Sequence, residues 1–97
     1  MQLSEHQKKH LRGLCHELKP VVILGNNGLT ENVSNEIDIA LTHHELIKVK
    51  IRADRDERKA ISLEIAKKSK STLVQTIGQV ACYYRLNKDN PKIVVPG

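Results

Sequence analysis

Apolar residues recur at Leu11, Leu14, Cys15 and Leu18, the spacing of one helical face. Ser4, followed three positions on by Gln7, makes a capping-box pair ahead of them. Together they predict a helix over residues 5–17. Lys19-Pro20 ends it, because proline lacks a backbone donor and restricts the residue before it. Val21-Val22-Ile23-Leu24 is a short unbroken apolar run, which reads as a central strand buried on both faces. Gly25-Asn26-Asn27-Gly28 interrupts it. Thr30 then caps a second helix with a core stripe of Val33, Ile37, Ala40 and Leu41. His43 and His44 fall near its end, where imidazoles meet the last carbonyls.

Ile47, Val49 and Ile51 alternate with Lys48, Lys50 and Arg52, the pattern of a half-buried strand with one cationic face. Asp54, Asp56 and Glu57 suit a helix start. The segment that follows carries two periods. Ile61, Leu63 and Ile65 alternate as in a strand, while Ile61 and Ile65 also stand four apart as on a helix. Its Glu, Lys and Ala content and its length up to Ser69 favour helix. Residues 72–77 and 80–86 are β-rich with Gly78 between them, and predict a hairpin. Residues 87–91 form a polar turn, and Ile93-Val94-Val95 is either a short last strand or a packed tail. The expected fold is α/β, in the order α-β-α-β-α-β-β. It is a single compact domain over residues 1–97, with three helices packed on a mixed sheet of about four strands.

Composition narrows the function. A chain of 97 residues can bury one core but has little room for a deep catalytic cleft. Its net charge of +5 favours a polyanionic partner, either nucleic acid or an anionic membrane surface. On a helical wheel Lys8, Lys9, Arg12 and His16 share one flank of the first helix, although a solvated face reads the same way. There is no Trp or Phe, and the only tyrosines are Tyr83 and Tyr84. Modules that stack bases on rings need more, so backbone contact is expected to dominate. No stretch approaches the roughly 20 apolar residues of a membrane span, and residues 1–6 lack a signal-peptide core. A cytoplasmic location without membrane partners is expected.

The strand, Gly-x-x-Gly and capped-helix arrangement is a candidate anion site. Glycines let another backbone come close, and a helix start offers unpaired N–H groups. Asn26 and Asn27 add amide donors. KH domains clamp a nucleic-acid backbone with such a loop. Taken alone the tetrapeptide reads better as a plain turn, and Glu31 in the first helical turn would repel phosphate. Lys19, Lys48, Lys50 and Arg52 are cations that could lie within reach, and Arg85 in the second strand of the hairpin joins the candidate set. The loop lacks the Gly-Lys-Ser/Thr of a P-loop and the third glycine of a dinucleotide fold. His6, His10 and Cys15, like His43, His44 and Glu45, lack metal-ligand spacing. Cys15 and Cys82 read as buried thiols. No metal, cofactor, small-molecule substrate or catalytic residue is expected.

Several segments together resemble the small bacterial CRM-domain proteins of the YhbY type. They are Leu3-Ser4 with Gln7-Lys8, Leu11-Arg12-Gly13-Leu14, and Leu18-Lys19-Pro20-Val21-Val22 into Gly25-Asn26-Asn27-Gly28-Leu29-Thr30. They continue in His43-His44-Glu45-Leu46-Ile47-Lys48-Val49-Lys50 and in Val74-Gln75, Ile77-Gly78 and Tyr83-Tyr84-Arg85. The resemblance implies a fold similar to the C-terminal domain of translation initiation factor three with an added N-terminal helix, and makes the ambiguous segment a helix. It also implies RNA contacts at Gly25, Asn26, Asn27 and Gly28 and at the first-helix cations. The partner it implies is rRNA in precursors of the large ribosomal subunit. Two other readings stay open: a DNA-binding protein using the same basic face, and an enzyme on a small phosphorylated ligand held at the loop.

Overall fold

The computed structural model describes residues 3–96. Seven elements follow the expected order: α1 (Glu5–Cys15), β1 (Pro20–Leu24), α2 (Glu31–His44), β2 (Leu46–Ile51), α3 (Arg55–Ser69), β3 (Thr72–Ile77) and β4 (Val80–Tyr84). Each helix begins on a side-chain cap. Ser4 Oγ accepts from Gln7 N at 3.1 Å while Gln7 Oε1 accepts from Ser4 N at 2.9 Å, closing the capping box. Thr30 Oγ1 accepts from Val33 N, and Asp54 Oδ1 accepts from Glu57 N. The segment with two periods is the helix α3. Helix α1 stops at Cys15, two residues before the expected end. There the amides of Glu17 and Leu18 turn back onto the carbonyls of Leu14 and Cys15, three residues earlier.

The sheet order is β1-β2-β4-β3. Strands β1 and β2 are parallel and joined through α2, while β4 runs antiparallel to both β2 and β3. The β3–β4 hairpin turns at Gly78 and Gln79, with Gly78 at φ +57, a conformation glycine adopts freely. Strand β4 ends at Tyr84 rather than at Leu86, because the chain leaves the sheet at Arg85 to begin a long bonded loop.

The run Val21-Val22-Ile23-Leu24 was expected to be central and buried on both faces; it is an edge strand. Val22 and Leu24 enter the core, whereas Val21 is 51% and Ile23 53% exposed. The reason is the placement of α1, which lies over β2, β3 and β4 and leaves the outer side of β1 bare.

Two cores flank the sheet. On one face Val22, Leu24, Ile47, Val49, Ile51, Ala81 and Tyr83 pack against Ile37 and Leu41 of α2 and Ile65 of α3. On the other, Leu46, Val74, Cys82 and Tyr84 pack against Leu11 and Cys15 of α1. Residues 93–95 pair with no strand among the described residues. Ile93 and Val95 pack onto the α1-side core while Val94 faces solvent, so this segment is a tail.

Candidate nucleic-acid interface

The Gly25–Gly28 loop leaves β1 as a tight turn in which Gly28 N donates to Gly25 O at 3.1 Å. Gly28 sits at φ +66, where any L side chain is strained. Gly25 has an ordinary backbone conformation, and a Cβ placed there would meet nothing within 4 Å. The fold itself therefore has no use for glycine at position 25. Asn26 and Asn27 are exposed, and their backbone amides and side chains have no hydrogen-bond partner among the described residues. Glu31 lies at the first position of α2 and already complements the positive end of that helix. Any anion held here thus depends on the loop amides and nearby cations more than on the helix end.

Two of the predicted cations, Arg52 and Lys50, lie near this loop, while Lys48 sits at the far end of β1. Arg52 N donates to Leu24 O at 3.1 Å, which places Arg52 beside Gly25. Lys50 is the register partner of Ile23, two residues before the loop, and Lys48 that of Pro20. Since Ile47, Val49 and Ile51 face α2 and α3, alternation turns Lys48 and Lys50 to the α1 face. Lys19 precedes the start of β1, roughly 20 Å of extended chain from the loop.

Helix α1 carries Lys9 in the open, while Lys8 and Arg12 are half-buried. Lys8 Nζ lies 4.0 Å from Glu5, a weak exposed pair. Lys8, Arg12 and His16 stand at successive helical turns. His16 ends this line at a recess of about 180 Å³ that it borders with Lys48, Gln75, Ile77 and Val80. The line of cations on α1 therefore runs towards the same half of the sheet as Lys48.

Arg85 does not join them. Its backbone N donates to Glu45 O just before β2 begins, at the opposite end of the sheet from the loop. Both terminal nitrogens of its guanidinium are engaged: Nη1 donates to Asp38 Oδ1 at 2.6 Å and Ser69 O at 2.9 Å, and Nη2 to Asp38 O and Thr42 Oγ1, both at 3.0 Å. The cation that follows β4 is a clasp between α2 and α3.

Sequence reasoning missed two features. Glu45 is fully buried at φ 63 and accepts from Asn87 N at 2.7 Å, Lys92 N at 2.5 Å and Ile93 N at 2.8 Å. Burial pushes its carboxyl up, but those three donors and the Lys92 charge outweigh it and hold the group below the usual carboxylate range. Nothing in the local pattern His43-His44-Glu45 signals a buried anchor. The second is a groove of about 780 Å³ between α3 and the hairpin, with Arg55, Arg58 and Lys59 among its lining. Their close spacing on α3 was the signal that could have found them.

The side chains suited to other chemistry are withdrawn. Tyr83 and Tyr84 are fully buried on opposite faces of the sheet, so neither ring is free to stack on a base. Tyr83 OH donates to Ser62 O at 2.9 Å, and burial pushes this phenol up. Cys15 and Cys82 are buried against each other, and donating its S–H to the Cys82 sulfur, with burial, pushes the Cys15 thiol up. Among the described residues no group of three or more His, Cys, Asp or Glu side chains is arranged to hold a metal, and no helix is long and apolar enough to cross a membrane.

Residues 3–85 match the CRS1/YhbY (CRM) domain. The chain belongs to this family. A protein of Haemophilus influenzae, named an RNA-binding protein, is 50% identical over 95 residues, covering 97% of this chain and 95% of that one. A Pseudomonas aeruginosa protein, named a probable RNA-binding protein, is 50% identical over 88 residues, covering 90% and 85%. A solution structure of a Staphylococcus aureus protein superposes with a TM-score of 0.84 at 35% identity, covering 98% of this chain and all of the other. The CRM fold thus extends over both cores described above.

Proposed function

We propose that this CRM domain is an RNA-binding protein that acts by holding RNA rather than by catalysis. The observation that carries the reading is the loop. It presents two exposed asparagines with free amides between two glycines, one of which the fold does not require. Arg52 and Lys50 stand beside it. A glycine without internal cause suits a surface that another backbone approaches closely. The names of the relatives point the same way. Both free thiols, Cys15 and Cys82, are buried, which supports binding over catalysis.

The RNA we propose is rRNA in precursors of the large ribosomal subunit, held in the cytoplasm during assembly. This finer step rests on the family resemblance and on a charge of +5 suited to a polyanion. Competition between large-subunit rRNA fragments and duplex DNA, repeated across a salt series, tests it. Preference for rRNA with a steep salt dependence is expected; equal affinity for both would refute the choice of RNA. Sedimentation of tagged protein on a sucrose gradient tests the assembly role. Migration with immature large subunits is expected, and migration as free protein alone would refute it.

A further inference from the structure

Helix α1 leaves one end of its face of the sheet uncovered. It ends where Cys15 meets Cys82. Beyond that row, one more crosses all four strands: Ile23 pairs with Lys50, Lys50 with Val80, and Val80 with Ile77. The two ends of this row are exposed isoleucines, Ile23 at 53% and Ile77 at 58%. Val80 and Ile77 border the recess that also holds Lys48, so all lie on the α1 side. The row is therefore apolar, cationic, apolar, apolar, with no carboxylate in it. Its β1 end leads through Leu24 into the Gly25–Gly28 loop, and Arg52 lies at that junction.

Four strands at about 4.8 Å spacing make the row roughly 14 Å wide, enough for about two bases lying flat. Branched aliphatic side chains offer a flat apolar surface for base faces, and the lysine between them sits where a phosphate would need it. The charge complementarity and the direct continuity with the loop both favour nucleic acid over protein. Bases paired in a helix cannot present their faces to a sheet, so the nucleotides concerned must be unstacked.

We propose that this uncovered end of the sheet is a nucleobase platform, on which Ile23, Val80 and Ile77 take about two unstacked bases of single-stranded RNA while Lys50 and Lys48 take phosphates. It rests on the RNA reading above and adds a substrate class to it: single-stranded segments over duplex. The platform replaces the ring stacking that the two buried tyrosines cannot supply.

The test is fluorescence anisotropy with the full chain, a short single-stranded RNA and an RNA duplex of equal length, from low to moderate salt. The variant is Ile23→Ser with Ile77→Ser, and a second pair, Ile23→Thr with Ile77→Thr, keeps the β-branched shape should serine loosen the strands. Both sites are exposed, so unchanged melting is expected. Affinity for the single strand should fall about tenfold with the salt slope unchanged, because apolar contacts release no counterions. Duplex affinity should not move. Unchanged single-strand affinity, or an equal loss on duplex, would overturn the platform while leaving the RNA reading in place. Failure of the unsubstituted chain to bind either RNA would overturn both.

Discussion

Glu45→Gln isolates the most concentrated polar anchor in the fold. The glutamine has the same shape but no charge, and one of its two terminal groups is a donor. In the native protein Oε1 accepts from Lys92 N and Ile93 N, and Oε2 from Asn87 N. In whichever orientation the amide sits, at least one buried N–H then faces an NH₂ group and loses its acceptor. That alone costs about 1–3 kcal/mol, and the remaining bonds drop from charge-assisted to neutral strength. The sum is about 2–4 kcal/mol, which for a domain of this size lowers Tm by about 10 °C or more. Thermal unfolding followed by circular dichroism reads it. The pH dependence is a second check. The folded-state pKa of Glu45 is lowered, so its stabilisation is complete above the unfolded value of about 4.3 and is lost as pH falls through the lower folded value. The gap in Tm between the native protein and Glu45→Gln should therefore be constant near neutrality and shrink on acidification below about pH 4. A Tm within about 2 °C of the native value at pH 7 would refute the reasoning, as would a gap unaffected by acid.

Gly28→Asp places a side chain and a negative charge at φ +66 on the proposed contact. Stability should fall by roughly 1 kcal/mol and RNA affinity by far more; an unchanged dissociation constant in a folded variant would remove the loop from the interface. Lys50→Ala should leave melting nearly unchanged and flatten the salt dependence by about one phosphate contact. Arg85→Ala should do the reverse, costing about 1–2 kcal/mol because its bonds to Ser69 and Asp38 are lost, with an unaltered salt slope in RNA titrations. Gly13→Ala should raise Tm by several degrees, since Gly13 lies within α1 at ordinary φ with open space where a Cβ would go and alanine gains about 1 kcal/mol in a helix interior; an unchanged or lower Tm would contradict this.

What the sequence by itself determined is local. Ser4, Thr30 and Asp54 each start a helix, because a cap acts over three residues and needs no distant partner. The alternation of Ile47, Val49 and Ile51 with Lys48 and Lys50 set the faces of β2, because pleating turns successive residues to opposite sides. The glycine loop between a strand and a capped helix was legible for the same reason. Tertiary structure alone decided what depends on neighbours far along the chain. An unbroken apolar run does not say how many strands or helices will lie beside it, so β1 could be an edge with Ile23 bare. The insertion of β4 between β2 and β3 brought Lys50 between Ile23 and Val80, a juxtaposition spread over nearly sixty residues of sequence. Arg85 and Lys50 are both strand-end cations in the sequence; only the fold shows one filled by α2 and α3 carbonyls and the other left beside the loop. Glu45 likewise looked like one more charge near a helix end, until the returning tail placed three backbone donors around it.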